Sequence, residues 1–264
     1  MRNDQPALME LNKSTNLYEI LIRRLNSLRC RPGDVCVDAG ANQGNHAIPM
    51  ALAVAPTGVI HAFEPIKHLA NRLRKMASDR QLPIHVYEIA LSDRVGVAQF
   101  QFVKNVPGWS GLYDREYTSA VEIERIEVEV STLDTVLLQR LNKFRFYKLD
   151  IEAAEFKALK GSTKIIAKLS PLIAFENGFG RAAKIAGHSK EEWFAFFASV
   201  NYRTFDLYGY EITPDRWPDH GQPYNSIAAA RGSDDEKFIE TVWRSEVDTV
   251  ISAVRSGALK YGPL

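Results

Sequence analysis

The order of signals along the chain predicts an α/β fold: a mostly parallel sheet with helices on both faces. Three observations carry this. An apolar run, Val35-Cys36-Val37, is followed by an acid and a glycine loop, Asp38-Ala39-Gly40-Ala41-Asn42-Gln43-Gly44. Strand and helix signals then alternate from residue 34 to about 93, as βαβ units do. Finally, three apolar runs each end in a carboxylate: Asp38, Asp150 and Glu176. If those strands are parallel neighbours, their acids converge on the crevice outside the strand ends.

Leu17, Ile20, Leu21, Leu25 and Leu28 recur at helical spacing and predict an amphipathic helix in the first 30 residues, docked on the sheet or part of a lid. Val35–Val37 reads as a strand buried on both faces. Gly40 permits a sharp turn and close approach to a ligand, Gly44 stands where a helix should begin, and Ala47 to Leu52 continue it. Val59–Phe63 is a second strand, ending at Glu64. Val97–Val103 and Ile126–Val130 alternate apolar and polar residues and suit a hairpin-like pair. The insertion between them, 104–123, contains Pro107-Gly108-Trp109-Ser110-Gly111-Leu112-Tyr113, either a cover for the ligand or an ordinary surface loop. Phe144–Asp150 is the next strand. Ile151 to Lys160 is rich in helix formers, with Gly161 as its stop, which would set Glu152 and Glu155 on one helix face. Leu172–Phe175, Tyr202–Leu207 and Ser226–Ala230 complete the strands. Trp193, Phe194, Phe196 and Phe197 form a core stripe, Trp217 to Gly221 a turn-rich loop open to substrate contact, and Asp234–Val254 a terminal helix.

The glycine loop is informative in its spacing. A nicotinamide site wants Gly-x-Gly-x-x-Gly. Here the pattern is Asp38-x-Gly40-x-x-x-Gly44, with Asn42 where a pyrophosphate would need glycine. Asp38 disfavours an anionic ligand and suits a cationic one such as S-adenosylmethionine (SAM). The Glu64 carboxylate could accept both hydroxyls of its ribose, as the corresponding acid does in dinucleotide folds. A nicotinamide-dependent oxidoreductase and a non-catalytic SAM-binding protein remain as alternatives.

The second half of the chain carries the chemistry. Methyl transfer from a sulfonium is an in-line displacement that needs near-attack geometry, and a hydroxyl acceptor must also lose its proton to a base or a metal-assisted path. Asp150 is the first candidate at the active centre, with Glu176 and Glu152 beside it. His46 and His188 are alternative bases, His46 lying nearer the cofactor loop. Asp150, Glu176 and Asn177 would offer oxygen ligands to Mg²⁺. A structural role for Glu176, by capping or by pairing with Lys148, stands beside these.

These motifs together resemble the FkbM family of SAM-dependent class I methyltransferases. Val37-Asp38-Ala39-Gly40-Ala41-Asn42 with Gly44 is similar to that family's cofactor loop, and Ala62-Phe63-Glu64-Pro65 to its ribose motif. Arg31-Pro32-Gly33-Asp34, Ala90-Leu91-Ser92-Asp93 and Ser131-Thr132-Leu133-Asp134 are similar to the flanking segments. Lys148-Leu149-Asp150-Ile151-Glu152 with Glu155 and Leu159-Lys160-Gly161 is similar to its signature, except that Ala153 stands where the family has glycine. The resemblance implies a Rossmann-like sheet of seven strands in the order 3-2-1-4-5-7-6. It implies a helical extension over 1–30, a methyltransferase domain over 31–232 and a C-terminal helix over 233–264. It implies SAM held by Asp38, Gly40, Asn42, Gly44, Glu64 and Ala90, and O-methylation of a small molecule, sugar or glycan.

Composition narrows the partners. The 264 residues carry 33 basic and 32 acidic side chains, a net charge of +1, so no nucleic-acid partner is indicated. Cys30 and Cys36 make neither a disulfide framework nor a metal spacing. No apolar run suggests a signal or a membrane span, so a cytoplasmic protein is expected. The terminal helices could pair with a second copy, which allows a homo-oligomer.

Overall fold

A computed structural model describes residues 5–117, 119–217 and 223–261. Its strands are β1 (Val35–Ala39), β2 (Val59–Phe63), β3 (Ile84–Tyr87), β4 (Ala90–Leu91), β5 (Gly96–Val103), β6 (Ile123–Ser131), β7 (Phe146–Leu149), β8 (Leu172–Glu176), β9 (Tyr202–Asp206) and β10 (Asn225–Ala230). Seven of them form one sheet in the order β3-β2-β1-β7-β8-β10-β9. Numbered within that sheet alone, this is 3-2-1-4-5-7-6, the expected order. Strands β3, β2, β1, β7 and β8 run parallel, and β10 is antiparallel to both of its neighbours.

Strands β1 and β7 are buried along their whole length, which is why they read as unbroken apolar runs. One face of the sheet packs on Leu17, Leu21 and Leu25 of helix Leu17–Arg29, on helix Ala47–Val54, and on Val247, Val250 and Val254 of helix Arg244–Arg255. The other face packs on Leu133, Phe156, Ile165, Trp193, Phe196 and Phe197. The predicted aromatic stripe is therefore core, on helix Lys190–Ser199, whose start is fixed by a capping box between Ser189 and Glu192. The terminal helices share the main core. Arg24 bonds Glu246 at 2.8 Å, and Arg29 pairs with Asp235 at 2.5 Å.

The expected hairpin is β5 against β6, antiparallel from Gly96↔Val130 to Val103↔Ile123, and β4 joins its edge in a separate three-stranded sheet. Two expectations change. The N-terminal segment is two helices, Gln5–Thr15 and Leu17–Arg29, divided at Asn16 with φ 54°. The helix expected from Ile151 begins only at Glu155, because Glu152 and Ala153 are left-handed, with φ 59° and 75°. Propensity favoured helix there, but the turn after β7 overrides it, and Glu152 and Glu155 do not share a helix face. Of the loop Trp217 to Gly221, only Trp217 lies within the described residues; its ring meets Trp193 and Phe179 edge-on.

Candidate functional site

The strand order reverses between β1 and β7, so the crevice at their carboxyl ends is where a ligand binds in such a sheet. A cavity of about 220 Å³ lies there. Gly40, Ala41 and Asn42 form one wall, Glu64 to Ile66 and Ala90 another, and Lys148, Asp150 and Glu152 a third.

Gly40 has φ +79°, and a Cβ there would lie 1.9 Å from the Asp150 carbonyl oxygen. The glycine therefore lets the loop press directly on the segment after β7. Gly44, with φ +89°, does not line the cavity. Its amide donates to Ala41 O at 2.8 Å, and a side chain there would strike Leu73 and Ile48. Its role is to shape the turn into helix Ala47–Val54, a correction to its expected place at the ligand.

Glu64 accepts the amide of Asn42 on one oxygen and that of Ile66 on the other, both at 2.8 Å. It thus ties the glycine loop to the end of β2. Burial raises its carboxyl to about 7, against the pull of these two amides. Each oxygen keeps a lone pair for a further donor. Asp38 is 1% exposed and does not line the cavity; the Ala47 amide and the Lys148 ammonium face its carboxylate. Asn42, at φ 48°, does line it, with its side-chain oxygen unpartnered among the described residues. A buried acceptor without a donor is costly, and a ligand rich in donors, with an ammonium and ribose hydroxyls, would satisfy it and the spare lone pairs of Glu64. On this observation the cavity fits SAM.

Parallel register sets Asp38 beside Lys148. The buried Lys148 ammonium stands 3.8 Å from Asp38 and 3.2 Å from Asp150. Burial alone would favour the neutral amine, but Asp150 and Asp38 together hold the proton more tightly than usual. Sequence reasoning considered Lys148 only as a partner for Glu176; the register of two adjacent strands was the signal that could have found its true pairing.

Asp150, Glu152 and Glu176 come together, with one carboxylate oxygen of each within 4.8 Å of the others. The left-handed turn at Glu152 and Ala153 swings Glu152 into this group. Removal from water, then Asp150, raises the Glu152 carboxyl to about 7, while an ion pair with Arg115 opposes the rise. Glu176 is pushed well above the carboxylate range, by its removal from water and then by Glu152, Asp150 and Glu155. Glu155 accepts the Ile151 amide at 2.7 Å and braces the turn. Three oxygen donors at this spacing could hold a divalent cation. Asn177, the other ligand expected beside Asp150 and Glu176, has its side-chain oxygen on the Phe179 amide at 3.1 Å, where it caps the following helix.

Neither histidine joins this cluster. His46 sits on the cavity wall with Nε2 2.6 Å from Glu19 Oε2. His188 lies against Phe156, and burial lowers its imidazole to about 4.

The insertion covers the site. Pro107, Gly108, Ser110 and Leu112 line the cavity, and Arg115 donates to Trp109 O at 3.0 Å while pairing with Glu152. A second cavity, of about 190 Å³, opens on the far side of Glu152, between Arg115, Glu176, Arg181, Ile185 and Tyr224. Glu152 lines both. Sequence reasoning missed Arg115, Glu19 and Tyr261, which reach the site through tertiary packing.

No described helix is long and apolar enough to cross a membrane. The 31-O-demethyl-FK506 methyltransferase FkbM of Streptomyces tacrolimicus is 28% identical over 177 residues, covering 54% of this chain and 68% of that protein. The structure of methyltransferase FkbM from Methylobacillus flagellatus matches with a TM-score of 0.46 and 16% identity, over 78% of this chain; the chain spans 50% of that protein's length. The O-methyltransferase TomG of Streptomyces achromogenes, in complex with SAM, matches with a TM-score of 0.45 and 11% identity, over 88% of this chain and 91% of the other. The family model described as the methyltransferase FkbM domain matches residues 38–204, from the first acid of the glycine loop to β9. The chain belongs to the FkbM methyltransferase domain family.

Proposed function

We propose that this family member transfers the methyl group of SAM to a hydroxyl of a small molecule, sugar or glycan. The observation that carries the reading is the meeting of two cavities at Glu152. One presents unpartnered acceptors suited to a cationic nucleoside, and the other leaves room for an acceptor beside the same carboxylate. The FkbM relative of Streptomyces tacrolimicus, whose name describes an O-demethylated substrate, is consistent with a hydroxyl acceptor.

When bound, SAM would supply an electrophilic methyl on a sulfonium. Glu64 and the Asn42 loop would hold it, Glu64 by its ribose hydroxyls, and the buried Asp38 at the end of β1 would add negative charge that suits the sulfonium. Glu152 is the proposed base. Its carboxyl near 7 is matched to proton transfer around neutral pH, and it lines both cavities, whereas Asp150 lines only the first. Arg115 holds Glu152 in place, and Glu176 keeps a proton nearby. Walling by Pro107 to Leu112 would exclude water from the transfer. A metal-assisted version, with Mg²⁺ on Asp150, Glu152 and Glu176, is favoured by the same 4.8 Å clustering. The Arg115 pair already neutralises Glu152, which supports the carboxylate base first.

Calorimetric titration tests both points. Micromolar binding of SAM, with NAD silent and Mg²⁺ without effect, supports the reading; a requirement for Mg²⁺ selects the metal-assisted version. Absence of SAM binding in every condition refutes the proposal, and preference for NAD revives the oxidoreductase.

A further inference from the structure

We propose that Glu19, on the N-terminal helix, receives the α-ammonium of the amino-acid arm of SAM, so that the helix is part of the cofactor site. The inference rests on the cofactor reading above and deepens it.

Helix Leu17–Arg29 buries Leu17, Ile20, Leu21 and Leu25 in the core, yet Glu19 lies among these positions with its side chain 30% exposed. It lines the same cavity as Gly40, Glu64 and Asp150. The desolvation of this carboxylate is offset by the His46, Lys148 and Arg23 charges, which keep it an anion on the cavity wall. His46 engages Oε2 at 2.6 Å.

The charges around Glu19 fit a zwitterionic arm. His46, Lys148 and Arg23 face it, and Arg23 lies over the Tyr261 ring, 4.2 Å from its centroid. Lys148 is already held between Asp38 and Asp150. Removal from water would raise the Glu19 carboxyl, but the His46 hydrogen bond and charge, then Lys148 and Arg23, take it down to about 2. Glu19 is thus an anion at every working pH. The wall offers an anionic acceptor with cations beside it, and an ammonium next to a carboxylate is the ligand group that uses both.

The test compares two nucleosides on the full chain by calorimetry. S-adenosylhomocysteine carries the amino-acid arm; 5′-methylthioadenosine lacks it. Wild type should bind the former more tightly. Glu19→Gln should weaken S-adenosylhomocysteine by roughly 10- to 100-fold, the scale of one charge-assisted hydrogen bond, and leave 5′-methylthioadenosine within about twofold. If Glu19→Gln fails to fold, Glu19→Asp carries the test, with an intermediate loss for the first ligand and none for the second. Equal weakening of both ligands, or of neither, overturns the proposal and leaves Glu19 a partner of His46 only. Wild-type silence toward both nucleosides would instead overturn the cofactor reading, and this inference with it.

Discussion

The ends of β1 and β2 and the ends of β7 and β8 both present carboxylates, but in opposite conditions. Asp38 and Glu64 stand apart, one beside the Lys148 ammonium and the other held by two backbone amides. Asp150, Glu152 and Glu176 crowd together, and burial with these acidic neighbours raises the proton affinity of Glu152 and Glu176. The first arrangement is a rigid socket whose acids are fixed by the backbone, with lone pairs left over at Glu64. The second is a proton store at Glu152 and Glu176. The same residue type therefore serves binding in one region and proton transfer in the other, and the difference lies in spacing and partners.

Substitutions can break this contrast. Glu152→Gln should lower turnover by about 10² to 10⁴ while leaving SAM affinity within a few-fold, the signature of a lost base; turnover with an acceptor that wild type methylates, set beside calorimetry, checks it. Parallel loss of binding would mean that the crowded region also holds the cofactor. Glu64→Ala should do the reverse. It removes acceptors for ribose and frees the Asn42 and Ile66 amides, so SAM should bind on the order of 100-fold more weakly, at about 1.5–3 kcal/mol per charge-assisted bond.

The proton store makes a pH prediction. Glu152 must be ionised to act, so kcat/KM should fall as pH drops below about 7. Arg115 lowers the Glu152 carboxyl, so Arg115→Met should move this acid limb to higher pH, by about one unit for each 1.36 kcal/mol of lost interaction. An unmoved limb would assign it to another group. Stability runs the opposite way with pH. Folded carboxyls raised to about 7 at Glu64 and Glu152, and to about 8 at Glu155, bind protons that the unfolded chain has released above about 4.5. The apoprotein's melting temperature should therefore fall between about pH 5 and 8, and less steeply in Glu155→Gln.

The smallest effect concerns Ala153. At φ 75° it occupies a conformation that suits glycine, at a cost of about 1–2 kcal/mol. Ala153→Gly should raise stability by about 1 kcal/mol at most once the entropy of glycine is subtracted, or roughly 2–4 °C in Tm. A loss would show that the turn is held by contacts that need the methyl group.

Much of the fold was legible because its signals are local. The apolar runs, the acids that end them and the glycine turns sit within a few residues of one another. Ala153, marked in the sequence as a departure from the family pattern, does fall on a left-handed residue. The failures have one cause. Ile151–Ala154 carries helix propensity, but packing at the strand ends fixes it as a turn. Asn177 looked like a ligand, yet its oxygen goes to the next helix. Glu19 and Arg115 lie in an ordinary amphipathic helix and a loop of mixed composition, and only long-range packing brings them to the cavity.

Glu19 and Tyr261 line one cavity although nearly the whole chain separates them. During synthesis the glycine loop and the acid cluster could form well before Tyr261 leaves the ribosome, but the wall would still be open. Cofactor retention on nascent chains of increasing length should therefore rise late, after the C-terminal helix emerges, and would report that the chain has closed.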